Sequence, residues 1–178
     1  MENIPLTLEQ FILEPACTLP VALNICKQIA SGLLFLWNNQ IVHRDIKLPN
    51  ILILNQSNTY MPVICDFGVA KKVNEEGKAT CLDRGNLFHT APEIATAVLT
   101  HDLVDFSKQP SWELGVICYE IASDGNEPFP DYQPQKGLRE VDWGIAGEKG
   151  FPDGFVELVE QLLVRRSEER MGIERAEQ

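Results

Sequence analysis

The sequence predicts a mainly α fold with one small β-hairpin. Two observations carry this reading. Apolar residues recur every three to four positions over residues 20–39 and 155–164, and residues 107–123 are apolar nearly all round. These patterns mark two amphipathic helices and one central buried helix. Two short apolar runs, Ile51–Leu54 and Met61–Cys65, are separated by the polar cluster Asn55-Gln56-Ser57-Asn58, which reads as a hairpin turn. A chain of 178 residues is long enough for one domain with a real core.

Residues 7–14 suit a short helix, with Thr7 as N-cap, Leu8, Phe11 and Ile12 on one face, and Pro15 as the stop. The helix over 20–39 presents Ile25, Ile29, Leu33 and Leu36 inward, and Ala22, Ala30 and Gly32 allow close packing. Asn38-Asn39 closes it. The hairpin ends at Asp66-Phe67-Gly68. Residues 71–88 are mostly polar and read as an exposed loop. Ala91–Leu99 is a short helix with Pro92 in its first turn. The central helix covers 107–123, with Pro110 in its first turn and Ser107 as a possible cap, and Asp124-Gly125-Asn126 ends it. A weak helix is expected over about 135–146. Phe155–Val164 follows with Val156, Val159, Leu162 and Leu163 inward, and the charged tail Arg165–Gln178 is expected to fray or to be cut short.

The composition excludes several classes. Fifteen basic and 26 acidic residues leave a net charge of −11, which argues against nucleic acid and anionic membranes as partners. Five cysteines, none in a CxxC pair, fit free thiols in a reducing compartment better than disulfides or zinc. The N-terminus has no basic stretch followed by an apolar core, so no signal peptide is read. No apolar run approaches the roughly 20 residues of a membrane span. A cytoplasmic location is expected.

The chemistry concentrates in one polar loop, Ile41-Val42-His43-Arg44-Asp45-Ile46-Lys47-Leu48-Pro49-Asn50, set between Leu33-Leu34-Phe35-Leu36 and Ile51-Leu52-Ile53-Leu54. Asp45, Lys47 and Asn50 bring an acid, a cation and an amide together at short, fixed offsets. They read as groups held by a scaffold and aimed at a substrate.

That loop resembles the catalytic loop of eukaryotic-type protein kinases. Asp66-Phe67-Gly68 follows 21 residues after Asp45 and looks like the family's metal-binding motif. Ala91-Pro92-Glu93, 25 residues after Asp66, looks like the end of the activation segment. Trp112-Glu113-Leu114-Gly115 resembles the start of the family's central helix. The resemblance implies a partial kinase domain over 1–178: the hinge and the C-terminal (large) lobe, with no N-terminal lobe and a truncated last helix. It also implies ATP and Mg²⁺ as cofactors and a protein substrate. Asp45 would be the base for a substrate hydroxyl, and Lys47 would neutralise charge on the phosphoryl group. Asn50 and Asp66 would bind Mg²⁺, and Leu52 would pack under the adenine ring. Lys47, Asn50, Leu52 and Asp66 together would bind nucleotide. Gly68 would allow a sharp turn, and His43 and Phe67 would join an internal stack. Arg44 would meet an activation-loop phosphate, with Thr80 favoured over Thr90 as its acceptor. Glu93 would pair with Arg170. The Asp-x-Lys-x-x-Asn pattern resembles serine/threonine rather than tyrosine kinases.

The sequence also departs from the family pattern. It contains no Gly-x-Gly-x-x-Gly. Asn86 stands where Ser/Thr kinases usually have threonine, and it is expected to hydrogen-bond toward Asp45. Pro110 stands where an aspartate usually holds the catalytic-loop backbone. Arg166-Ser167 replaces the usual Asp-Pro. The face toward the absent lobe should be exposed and apolar, inviting that lobe or another partner. Two functions compete: Ser/Thr phosphoryl transfer, and a catalytically silent binding or scaffold module. A small-molecule phosphotransferase is disfavoured by the Ala-Pro-Glu segment.

Overall fold

Strand β1 (Leu6–Thr7) runs directly into helix α1 (Leu8–Phe11). In this computed structural model the described residues are 5–57, 59–80, 86–97, 103–129 and 150–177. Thr7 is the expected N-cap, in a full capping box: its hydroxyl accepts the Gln10 amide at 3.3 Å, and the Gln10 side chain accepts the Thr7 amide at 3.1 Å. Leu8, Phe11 and Ile12 are buried, as their spacing required.

Helix α2 (Leu19–Asn38) and helix α4 (Gln109–Ala122) form the core. Every residue of α4 is buried. α2 turns Ile25, Ile29, Leu33 and Leu36 inward. By length and composition α2 is long and apolar enough to cross a membrane, which corrects the reading that no stretch approaches that length. Its scattered polar residues hid this from a search for unbroken apolar runs. In the fold its apolar stripe packs against α4 and strand β4 (Thr59–Ile64), as in a core helix. Gly32 shows how close the approach is: a Cβ there would sit 3.1 Å from Ile64 Cδ1.

The hairpin is present, but it belongs to a three-stranded sheet of order β1-β3-β4, with β3 at Ile51–Gln56 and β4 at Thr59–Ile64. β1 supplies the third strand, pairing Thr7 with Leu52 and Leu6 with Ile53. Two residues were too few to show as a strand in the sequence. On one face of this sheet Leu52 and Leu54 stand opposite Val63 and Met61, and that face is half-exposed to exposed.

Residues 71–88 are not simply a loop. Strand β2 (Ile41–Val42) pairs with β5 (Lys71–Lys72), and β6 (Lys78–Thr80) pairs with β7 (Leu103–Asp105). The strands are short and polar, so no apolar alternation announces them; tertiary pairing supplies the order. The Asn74 side chain nucleates the turn between β5 and β6 by accepting the Glu76 and Lys78 amides at 3.1 and 2.8 Å. Gly77 closes that turn at φ 75, and a Cβ there would lie 2.7 Å from Trp37. Gly77→Ala should therefore cost about 1–3 kcal/mol, combining left-handed backbone strain with the clash. Urea unfolding checks this; a loss under about 0.5 kcal/mol would refute the packing described.

Helix α3 occupies Pro92–Ala97, helix α5 Asp153–Leu162 and helix α6 Ile173–Ala176. The expected end of α3 at Leu99 and the expected helix at 135–146 lie outside the described residues, as does Cys81. Ser107 is not the cap of α4: Lys108 takes that position, and its side chain caps nothing. In α5, Phe155, Val159 and Leu162 are buried, while Val156 is only half-buried. The tail does not fray. Ile173 is fully buried, and Arg170 is 2% exposed.

Candidate active site

The 3₁₀ turn Leu48–Asn50 returns the loop toward Asp45. Lys47 Nζ donates to Asp45 Oδ2 at 2.9 Å, and Asn50 Nδ2 donates to the same oxygen at 2.8 Å and to the Asp45 carbonyl at 2.9 Å. Three residues chosen by sequence offset therefore form one cluster around a single carboxylate. Asp45 keeps part of its side chain open to solvent, and Lys47 is more open still. The acid is thus reachable from outside.

His43 braces the cluster from beneath. Its Nδ1 accepts the Asp45 amide at 3.3 Å, and its Nε2 lies 3.0 Å from the Cys65 carbonyl. That pattern requires a neutral ring protonated at Nε2. Burial depresses the His43 pKa below 6.5, against the pull of the Cys65 carbonyl, so the ring stays neutral. Cys65 is also tied to Asn50, donating its amide to the Asn50 carbonyl at 2.9 Å. The next residue is Asp66. Phe67 meets His43 edge to face at 4.8 Å between ring centres, but it remains 48% exposed, so the two rings touch without forming the expected internal stack.

Asp66 is exposed, and its Oδ1 accepts the Gly68 amide at 3.3 Å. Asp66 at φ 63 and Arg44 at φ 71 both carry left-handed backbone. Such strain in non-glycine residues persists only where the surroundings hold it, and it concentrates at functional sites. The buried Arg44 guanidinium donates to the Val69 carbonyl at 3.3 Å. Leu52 lies on β3, immediately past the turn that carries Asn50, on the half-exposed face.

Asn86 does not turn its side chain to Asp45 as expected. Its Oδ1 accepts the Phe88 amide at 3.2 Å, closing a local turn, while its backbone amide reaches the Arg44 carbonyl at 3.5 Å. Glu93 and Arg170 do pair: Nη1 reaches Oε1 at 2.6 Å and Nη2 reaches Oε2 at 3.0 Å. Thr80 is exposed on β6, and Thr90 is buried.

The sequence reading missed a buried polar group beneath the loop. Gln109, Glu113 and Glu120 all lie inside α4. Gln109 accepts the Ala91 amide at 2.9 Å and donates to the His89 carbonyl at 3.0 Å. His89 Nε2 meets Glu120 Oε1 at 3.1 Å, both almost fully buried. Two acids seven residues apart in an otherwise apolar helix were the available signal, since that spacing places both on one face.

Burial lifts the Glu113 carboxyl from 4.5 to about 7, opposed by Gln109, His89 and the amides of Ile46 and Arg44. Burial lowers the His89 pKa, but the bond to Glu120 and the charges of Glu120, Glu113 and Glu127 outweigh it, leaving a net rise above 6.5. Both groups hold a proton more tightly folded than unfolded, so both favour the fold at low pH. Glu113's contribution fades as pH rises from 4.5 to about 7, and His89's is lost above 6.5. The Glu113 part amounts to about 3 kcal/mol. Glu113→Gln should flatten this segment of the stability curve, measured by urea unfolding across the range. An unchanged slope would refute the assignment.

The protein kinase domain family matches residues 6–178. The serine/threonine-protein kinase PINK1, mitochondrial, of Rattus norvegicus is 30% identical over 96% of this chain and 31% of its own length. Tyrosine protein-kinase src-1 of Caenorhabditis elegans is 30% identical over 76% of this chain and 26% of its own. Serine/threonine-protein kinase KIC1 of Saccharomyces cerevisiae is 32% identical over 65% of this chain and 10% of its own. The chain thus spans about a third or less of these relatives. A family match over nearly the whole chain joins the clustered Asp45, Lys47 and Asn50 and the Glu93–Arg170 pair in one conclusion: this chain belongs to the protein kinase family.

Proposed function

We propose that this chain transfers the ATP γ-phosphoryl group to serine or threonine hydroxyls of a protein substrate. The carrying observation is the single carboxylate of Asp45, held by Lys47 and Asn50 yet still open to solvent. Asp45 would accept the hydroxyl's hydrogen bond and orient its oxygen for attack. Lys47 would move from Asp45 to the phosphoryl oxygens when these arrive. Asn50 spends its amide nitrogen on Asp45, which leaves its Oδ1 as an acceptor, and Asp66 presents an exposed carboxylate. Hard oxygen donors of this kind, few in number, fit Mg²⁺, which keeps waters and phosphate oxygens in its shell. Mg²⁺, when bound, supplies charge neutralisation at the phosphates. Leu52 would form one wall of the adenine pocket.

The helical fold with its small sheets is read as the hinge and C-terminal lobe. The apolar strip of Leu52, Leu54, Met61 and Val63 supports a covering lobe or partner on that face. The free thiols of Cys26 and Cys118 support a reducing, cytoplasmic setting. Lys47 in its Asp-x-Lys-x-x-Asn setting favours Ser/Thr, although tyrosine kinases match the chain as well. A second reading, a silent kinase-lobe scaffold, is supported by Pro110, which stands where the family usually has the aspartate that holds the catalytic-loop backbone.

The test is to fuse the chain behind a lobe carrying a Gly-rich loop and strand lysine. The fusion is assayed with MgATP and peptide libraries having Ser, Thr or Tyr as the acceptor. Transfer to Ser and Thr is expected. Transfer mainly to Tyr would overturn the specificity, and no transfer to any acceptor would favour the scaffold.

A further inference from the structure

Glu113 lies fully inside the fold, one turn along α4 from Gln109. Its carboxyl faces the backbone amides of Arg44 and Ile46, the residues on either side of Asp45. Neither carboxyl oxygen completes a hydrogen bond of full geometry. A buried carboxyl without full partners costs stability, and an apolar residue of similar size would avoid that cost. Arg44, one of the two amides it faces, carries the strained left-handed backbone. Strain of this kind needs a group that holds it. Pro110, one turn earlier on α4, has no side-chain acceptor to offer. The buried carboxyl and the strained loop residue therefore account for each other.

We propose that Glu113 is the positioning residue for Asp45: its carboxylate holds the amides of Arg44 and Ile46 and so keeps the Asp45 side chain aimed at the substrate hydroxyl. The proposal rests on the reading of Asp45 as the base. The charged groups around it are few. His89, from the turn Leu87–His89, faces Glu113 and is itself paired with Glu120 on α4, with Glu127 further off. From the loop come the two amides, while the Arg44 side chain leads away to Val69. Helix α5 meets α4 at Gly115 through Leu162 and Leu163.

An amide is held better by a carboxylate than by its protonated form. The grip on the loop should thus strengthen as pH rises through the Glu113 midpoint at about 7. The experiment is a ¹⁵N–¹H correlation titration of this chain from about pH 5.5 to about 8.5. The Arg44 and Ile46 amides should shift together with that midpoint. In His89→Gln the shift should persist with a higher midpoint, since His89 lowers the Glu113 pKa. In Glu113→Gln it should vanish. Amides that do not respond in the native chain overturn the proposal, as do amides that respond equally in Glu113→Gln. The native titration and the His89→Gln control decide the matter even if Glu113→Gln does not fold.

A second arm uses the fusion assay. Glu113→Gln should lower kcat by about ten- to a hundredfold, the scale of a displaced catalytic group, with KM for MgATP within about twofold. An unchanged kcat overturns the positioning role. If the native fusion transfers no phosphate, the functional reading fails, and the amide titration still decides the Glu113 contact by itself.

Discussion

Asp45→Asn should reduce phosphoryl transfer in the fusion assay by about 10²–10⁴-fold, the range that base catalysis contributes. Affinity for MgATP should change little, because Asp45 is read as a contact of the hydroxyl rather than of the nucleotide. The structure makes the substitution severe in a second way. Asp45 Oδ2 receives both Lys47 Nζ and Asn50 Nδ2. An asparagine offers one acceptor oxygen in place of a charged carboxylate, so the Lys47 ion pair is lost and Lys47 is freed from its rest position. The fold should survive, since Asp45 is partly exposed and its amide still donates to His43. Circular dichroism checks the fold and calorimetry with MgATP checks binding. Activity within about threefold of native, well short of the base-catalysis range, would remove Asp45 from the role.

Arg170→Ala should destabilise the chain by about 3–5 kcal/mol, the cost of breaking a buried ion pair from one side. Arg170 uses its whole guanidinium. Two nitrogens grip Glu93, Nε donates to the Val164 carbonyl at 2.8 Å, and further bonds reach Lys108 and Arg165. The group also lies over Trp112, at 4.7 Å from the ring centre. Removing it leaves the half-buried Glu93 carboxylate without its cation and takes the donor from the Val164, Lys108 and Arg165 carbonyls. Arg170→Lys should rescue little of this, because a point charge cannot reproduce the planar fork or the stacking. The measurement is urea unfolding of the three proteins. A loss under about 1 kcal/mol for the alanine variant would mean that the pair behaves as a surface salt bridge.

Arg170 also shows where sequence reading stops. Its pairing with Glu93 was expected from the resemblance, yet the tail that carries it was expected to fray. Charge content alone cannot tell a solvated tail from one whose arginine is buried, because the distinction lies in a partner 77 positions away. Glu113 is the same case in the central helix. Its apolar neighbours predict burial, but nothing local says that the carboxyl faces the amides beside Asp45. The strands within 71–80 were invisible for a related reason: two or three polar residues carry no periodicity, and their partners lie at 41–42 and 103–105.

The features that were legible are those decided within a few residues. Helix α2 follows from its own spacing of apolar residues, and α1 from the Thr7–Gln10 capping box. The loop from His43 to Asn50 carries its chemistry in offsets of two and five residues, short enough that one turn brings Asp45, Lys47 and Asn50 together. The connections between distant segments came only with the folded chain: Cys65 placing Asp66 beside the loop, Arg170 locking Glu93, and Glu113 reaching the loop from below. Short-range backbone geometry is written in neighbouring side chains. Which buried charge meets which loop depends on how α2, α4 and the loop pack, because hydrophobic burial that drives the packing is non-directional and names no partner.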